Sequence, residues 1–319
     1  MVARMSTELT HRSLSVNGIQ MHVAEQGQGP LVILCHGWPE LGHSWRHQLR
    51  ALAGAGFHAV APDMRGYGQT DAPSDIAAYS IHHLVGDVVG LVAALGEQKA
   101  YVVGHDWGST VAWSAALMRP DVFTAVVGMS VPARARSAQA PLQALRSAGM
   151  HDFYWLYFQE PGVAEAEFER DVEDTMRRLM LAVKREHGLN VPAGGGFLDG
   201  TTSPRELPAW FTQQDLAVFV GEFKRTGFRG GLNWYRNMDR NWELTAPFAG
   251  ATIKQPSLFI AGTLDAVIRG PLGEAGLARL PQVATGLRRQ VLIEGAGHWV
   301  NEERADEVNA ELIRFLQEL

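Results

Sequence analysis

Read from its N-terminus, the chain opens with two short alternating runs, Arg12 to Val16 and Ile19 to Ala24, on either side of Asn17-Gly18. Alternation with that dipeptide between predicts a tight antiparallel β-hairpin. Apolar runs at 31–34, 58–61, 100–103 and 122–129 then alternate with helix-patterned stretches such as 44–53 and 81–95. Short apolar runs separated by amphipathic stretches predict a mostly parallel sheet with helices on both faces.

The alternation stops after Pro132. From about Ala133 to Ala246 the pattern is helical, with Phe168, Val172, Met176, Leu179, Met180 and Val183 at i, i+3, i+4 spacing, which reads as a packing face. A stretch rich in glycine and proline, 191–208, contains Gly194, Gly195 and Gly196 and is expected to join two halves of a helical lid. Strand-like runs return at 257–261 and 290–294, and an amphipathic helix over 305–319 closes the chain. The expected organisation is therefore a core over 1–132 and 247–319 with an inserted lid, or cap, over 133–246.

Composition narrows the class. The 319 residues are 46% hydrophobic and 19% charged with a formal charge of −6, which suits an ordinary globular protein and argues against a nucleic-acid partner. The single cysteine, Cys35, lies in an apolar run, so a buried inert thiol is expected and no disulfide framework. Met1 to Thr10 lacks the apolar stretch of a signal peptide, and no run approaches a membrane span. These features place the protein in the cytoplasm with no membrane partner, and they leave open whether it forms a homo-oligomer.

The candidate chemistry begins at Gly104-His105-Asp106-Trp107-Gly108, between a strand and a helix. This is the layout of a nucleophile elbow, a turn so tight that small flanking residues are needed to present the central side chain. Here that side chain is Asp106. A carboxylate can displace a leaving group from saturated carbon to give an ester that water later cleaves, whereas serine would form a stable ether. The residue type thus points to epoxides or alkyl halides and away from esters and amides. Ser109 is the rival nucleophile, but it lies past the turn and reads as structural. Asp106 alone does not separate a nucleophile from a helix N-cap.

Two further residues separate them. Asp265 follows the strand at 257–261, and His298, in Gly295-Ala296-Gly297-His298-Trp299, follows the next strand. The order nucleophile, acid, histidine is that of the α/β-hydrolase fold. His36-Gly37-Trp38-Pro39-Glu40 follows the first parallel strand, where a backbone N–H joins the one after the nucleophile in an oxyanion hole. Trp38 and Trp107 are the candidate donors, and His36 is expected to order the loop. His43 and His47 read as an exposed helix face, His82 and His83 as solvated, and Gly66-Tyr67-Gly68 lacks the dinucleotide pattern.

These segments, with Arg65-Gly66-Tyr67-Gly68, the stretch 157–165 and Leu232-Asn233-Trp234-Tyr235-Arg236-Asn237, resemble the soluble epoxide hydrolases of the α/β-hydrolase superfamily over nearly the whole chain. The resemblance implies two lid tyrosines that hold the epoxide oxygen, at Tyr154 and Tyr235, with Tyr157 the alternative to Tyr154 if the register differs. A phenol, with a reference pKa of about 10, can protonate an opening alkoxide without being ionised at neutral pH. The resemblance also implies a cis bond between Trp38 and Pro39, an epoxide and water as substrates, and no metal or organic cofactor. Haloalkane or haloacid dehalogenases share the aspartate and histidine, but fluoroacetate-type enzymes place arginines where this chain has Trp107 and Thr110. A non-catalytic receptor on the same fold is the remaining alternative.

Overall fold

The computed structural model describes residues 8–181, 184–185, 188–269 and 271–319. Two compact units emerge. One comprises the residues to Met64, His83–Ala135 and Phe248–Leu319; the other comprises Arg65–His82 and Arg136–Pro247.

The first unit is built on an eight-stranded sheet. Its strands are β1 (Thr10–Val16), β2 (Ile19–Gln26), β3 (Leu31–Cys35), β4 (His58–Pro62), β5 (Ala100–His105), β6 (Phe123–Met129), β7 (Ser257–Gly262) and β8 (Leu287–Ile293). Their order across the sheet is β1-β2-β4-β3-β5-β6-β7-β8. β1 and β2 form the expected hairpin, with Asn17 and Gly18 both at positive φ (45° and 79°), as a two-residue turn of matching twist requires. β2 also pairs antiparallel with β4, and every later pair is parallel.

The helices follow from the apolar spacing. α13 (Ala305–Gln317) buries Val308, Leu312, Phe315 and Leu316, one stripe at helical period, in a core shared with α1 (Arg46–Gly54) and with alternate residues of β3, β5, β6 and β7. α3 (Trp107–Met118) covers the other face, where its alanines permit close approach and Trp113 packs against Gly128 of β6. α2 (Ile81–Ala94), α11 (Pro271–Val283) and the short α12 (Val300–Glu303) complete the connections. The chain leaves β3 toward β4 on one side and returns to β5 on the other. The β3 and β5 loops therefore diverge at adjacent strand ends, the crevice where sheets of this type place their sites.

The second unit contains α4 (Pro141–Ser147), α5 (Tyr154–Tyr157), α6 (Val163–Phe168), α7 (Val172–Leu181), α8 (Gln213–Thr226), α9 (Arg229–Arg236) and α10 (Met238–Leu244). Phe168, Val172, Met176, Leu179 and Met180 are buried, as their spacing predicts, while Val183 lies outside the described residues. Residues 1–7 of the expected leader-free N-terminus also lie outside them. The 191–208 stretch is largely turns and extended chain, with Thr201–Thr202 pairing antiparallel with Lys184–Arg185. Arg65–His82 joins this unit through long-range bonds: Trp234 Nε1 donates to the Arg65 carbonyl (3.1 Å) and Asn237 Nδ2 to that of Ile76 (2.6 Å).

Three expectations are revised. The helix at 44–53 begins as a 3₁₀ turn, Gly42–Trp45, before α1. His43 and His47 are half-buried on those two elements and not on one exposed face. β8 starts at Leu287 instead of 290, because an edge strand with one solvent-facing side carries Arg288 and Arg289 where a central strand would be apolar.

Candidate active site

The C-terminal ends of five parallel strands carry the candidate groups: Trp38 and Glu40 after β3, His105 and Asp106 at β5, Ser130 after β6, Asp265 after β7 and His298 after β8. The elbow is as tight as its sequence requires. A Cβ on Gly104 would collide with the backbone of Gly108, and one on Gly108 with the carbonyls of Cys35 and His36. Asp106 itself sits at φ 52°, ψ −119°, a conformation costing about 1–3 kcal/mol that persists only where the surroundings over-determine it.

Asp106 occupies the N-cap position of α3, yet its side chain makes no capping hydrogen bond. The carboxylate instead turns toward the β3 loop, where Trp38 N–H donates to Oδ1 at 2.9 Å and the Trp107 N–H also supports its charge. The other oxygen, Oδ2, faces His298 Nε2 at 3.8 Å. Burial pushes the Asp106 carboxyl above its ordinary pKa, against the pull of His298, His105 and the two backbone N–H groups.

His298 Nδ1 lies 3.0 Å from Asp265 Oδ1 and 3.1 Å from the Ser130 hydroxyl. With the Nδ1 proton directed to the carboxylate, Nε2 presents a lone pair toward Asp106. Burial opposes charge on His298, but Asp265 outweighs it and holds the pKa above the ordinary 6.5. Burial likewise opposes charge on Asp265, while His298, Ser130 and the Val267 N–H hold its carboxyl low. The loop itself is clamped: Glu303 accepts from Gly297 N–H (2.7 Å) and Trp299 N–H (3.0 Å), the two backbone groups flanking His298.

A buried charged pair contacts the backbone of His298. His105 and Glu40 are fully buried and 2.7 Å apart. His105 Nδ1 meets the Glu40 carboxylate and Nε2 meets the His298 carbonyl at 2.8 Å. Both partners are acceptors, so both ring nitrogens must donate, and His105 is an imidazolium. Burial disfavours its charge, yet Glu40 overcomes this and its pKa rises to about 9. Glu40 Oε2 also accepts from Gly37 N–H (2.8 Å), fixing the loop that carries Trp38. Glu40 and His105 are 65 residues apart, so only the residue types hinted at a partner.

His36 accepts from Met64 N–H on Nε2 (2.9 Å) and donates from Nδ1 to the Gly37 carbonyl (2.9 Å), a loop-ordering role. The Trp38–Pro39 bond is cis. Ser109 is buried with its hydroxyl donating to the Val131 carbonyl (2.7 Å). Cys35 is buried and its thiol is pushed up to about 12. His82 and His83 are exposed.

In the second unit, Tyr154 and Tyr235 come together with ring centroids 5.8 Å apart. Tyr157 does not join them: its hydroxyl donates to Glu167 at 2.9 Å. Among the described residues, no group of three or more His, Cys, Asp or Glu could hold a metal ion, and no helix is long and apolar enough to cross a membrane.

A tight strand–turn–helix bearing Asp106, followed in order by Asp265 and His298 on later strand ends, is the layout of an α/β-hydrolase. The model of the α/β hydrolase fold family matches residues 30–305. Within that class the chain belongs to the epoxide hydrolase family. It is 50% identical to Epoxide hydrolase A of Mycobacterium tuberculosis over 96% of this chain and 97% of the relative. It is 42% identical to Epoxide hydrolase 1 of Siraitia grosvenorii over 98% and 99%. Among solved structures, that of Epoxide Hydrolase A from Mycobacterium thermoresistibile matches with a TM-score of 0.92 at 49% identity, covering 97% of this chain and 98% of that one.

Proposed function

We propose that this protein hydrolyses epoxides to vicinal diols through a covalent ester on Asp106. The observation that carries the reading is the placement of the Asp106 carboxylate, with Oδ1 against the Trp38 N–H and Oδ2 toward His298 Nε2. Oδ2 attacks an epoxide carbon, the carbon–oxygen bond opens, and the departing oxygen, hydrogen-bonded by the Tyr154 and Tyr235 phenols, takes one proton from one of them. His298, held by Asp265, then removes a proton from water, and the hydroxide adds to the Asp106 carboxyl carbon. The oxyanion develops on Oδ1, where the Trp38 and Trp107 N–H groups stabilise it. Collapse breaks the bond from the carboxyl carbon to Oδ2, which leaves in the diol with the proton of the added hydroxyl, and the proton on His298 returns by way of water to the phenolate. No step requires a metal or an organic cofactor.

Assignment of Tyr154 over Tyr157 is supported by their settings, since the Tyr157 hydroxyl is committed to Glu167 and burial beside that carboxylate drives its pKa up. The cytoplasm is the proposed location, in keeping with one buried thiol and no disulfide. The test is product analysis with an aryl epoxide and a haloalkane side by side. Diol formation without halide release is expected, and it should be abolished when Tyr154 and Tyr235 are both replaced by Phe. Halide release without diol would assign the site to dehalogenation.

A further inference from the structure

Arg236, the residue after Tyr235, has a side chain only 3% exposed, and all five of its N–H donors have acceptors. Nε donates to the Phe158 carbonyl (3.1 Å). Nη1 donates to Glu165 Oε1 (2.8 Å) and Asn233 Oδ1 (3.0 Å). Nη2 donates to Glu165 Oε2 (3.0 Å) and the Glu160 carbonyl (3.3 Å). Apart from Asn233, every acceptor lies in 158–165, the segment that directly follows the helix bearing Tyr154.

A second tie runs parallel to the first. Gln159 Nε2 donates to the carbonyls of Trp155 (2.7 Å) and Tyr235 (3.2 Å), one on each tyrosine-bearing helix. Between them stands the fully buried Phe158 ring, edge-on to Tyr154 (5.3 Å) and to Tyr235 (5.0 Å). Glu165 reaches back to the Gly162 N–H (2.9 Å), so the carboxylate that grips Arg236 is itself held at the start of α6. A planar fork against a carboxylate fixes orientation as well as distance, which a lysine point charge does not.

We infer that the Arg236–Glu165 fork and the Gln159 amide form a clasp that sets the separation and orientation of the Tyr154 and Tyr235 phenols, and so controls the ring-opening step. This rests on the reading of those tyrosines as the proton donors. Arg236, Glu165 and Gln159 are positioning residues; none is asked to touch the substrate. Proton donation depends steeply on geometry, so a misplacement of about 1 Å can cost of the order of a hundredfold. Ester hydrolysis at Asp106 uses none of these groups and should be insensitive to them.

The experiment resolves the two steps by single-turnover kinetics with an aryl epoxide, following ester formation and ester decay in Arg236→Lys, Glu165→Gln and Gln159→Leu, each at a temperature where circular dichroism shows the variant folded. Expected is a fall of at least tenfold in ester formation for Arg236→Lys and Glu165→Gln, a smaller fall for Gln159→Leu, and ester decay within twofold of the parent. Equal slowing of both steps, or ester formation within twofold of the parent, would overturn the clasp. Gln159→Leu leaves the ion pair intact and carries the test alone if the charged variants do not fold. Tyr154→Phe and Tyr235→Phe run in the same assay keep the two claims apart: if they leave ester formation unchanged, the reading of the tyrosines fails, whereas if they slow it and the clasp variants do not, only the clasp fails.

Discussion

Replacing Glu40 by Gln tests the buried imidazolium at the base of the site. In the parent, His105 donates from both nitrogens and its pKa stands near 9 against an ordinary 6.5. At about 1.4 kcal/mol per pH unit, that difference corresponds to about 3 kcal/mol of stabilisation. The folded pKa is raised, so this contribution is fully present below about pH 6.5 and is lost as the pH climbs through about 9. The Glu40→Gln change removes the counter-charge and His105 becomes neutral in the fold; its one N–H can serve the His298 carbonyl only if the new amide NH2 turns to Nδ1, which sets that amide against the Gly37 N–H. Breaking a buried pair by removing one partner typically costs about 3–5 kcal/mol, in line with that figure. Urea unfolding of parent and variant at pH 6, 8 and 10 measures the difference directly, and titrations common to both proteins cancel. A gap of about 3 kcal/mol at pH 6 that largely closes by pH 10 is expected. A gap that stays constant across this range would show that His105 is neutral in the folded protein.

Other outcomes follow from the same geometry. Ser109→Ala removes one buried hydroxyl bond, so it should cost about 0.5–1.5 kcal/mol in urea unfolding and leave steady-state turnover near parental; loss of turnover would reinstate Ser109 as a catalytic group. In the proposed mechanism His298 takes its proton only when neutral, and because its pKa is raised, ester decay in single turnover should slow as the pH falls through a value above 6.5. A decay rate flat from pH 8 to pH 5 would remove His298 from that step. Ester formation should instead fail further into acid, but above the ordinary carboxylate range, since burial raises the Asp106 pKa. Ester formation that persists below that range would show that Asp106 ionises more readily than its burial implies.

Local pattern carried the site as far as local pattern can. Asp106, Asp265 and His298 each follow a strand closely, so strand pattern and chain order single them out in the sequence, and the fold brings both carboxylates up to His298. Asp265 and His298 weigh against the N-cap alternative for Asp106 in the sequence, and the geometry adds what residue identity does not reveal, that its carboxylate turns away from the helix. The groups without a role in the sequence are those whose meaning lies in a distant partner: Glu40 with His105 across 65 residues, and Glu165 with Arg236 across 71. Ser130 and Glu303 were silent for the same reason, being ordinary polar residues until the His298 loop is folded against them. The start of β8 is not legible in the sequence because an edge strand relaxes the apolar pattern by which strands are recognised.

The central claim is that Asp106 forms the covalent bond and that water attacks its carboxyl carbon. A single turnover in heavy-oxygen water, with enzyme in excess over epoxide, tests it most directly. The diol of that first turnover should be unlabelled, and mass spectrometry of the peptide containing Asp106 should find one heavy oxygen in its carboxylate. Label in the diol with an unlabelled Asp106 would mean that water opens the ring itself, and the ester mechanism would be wrong.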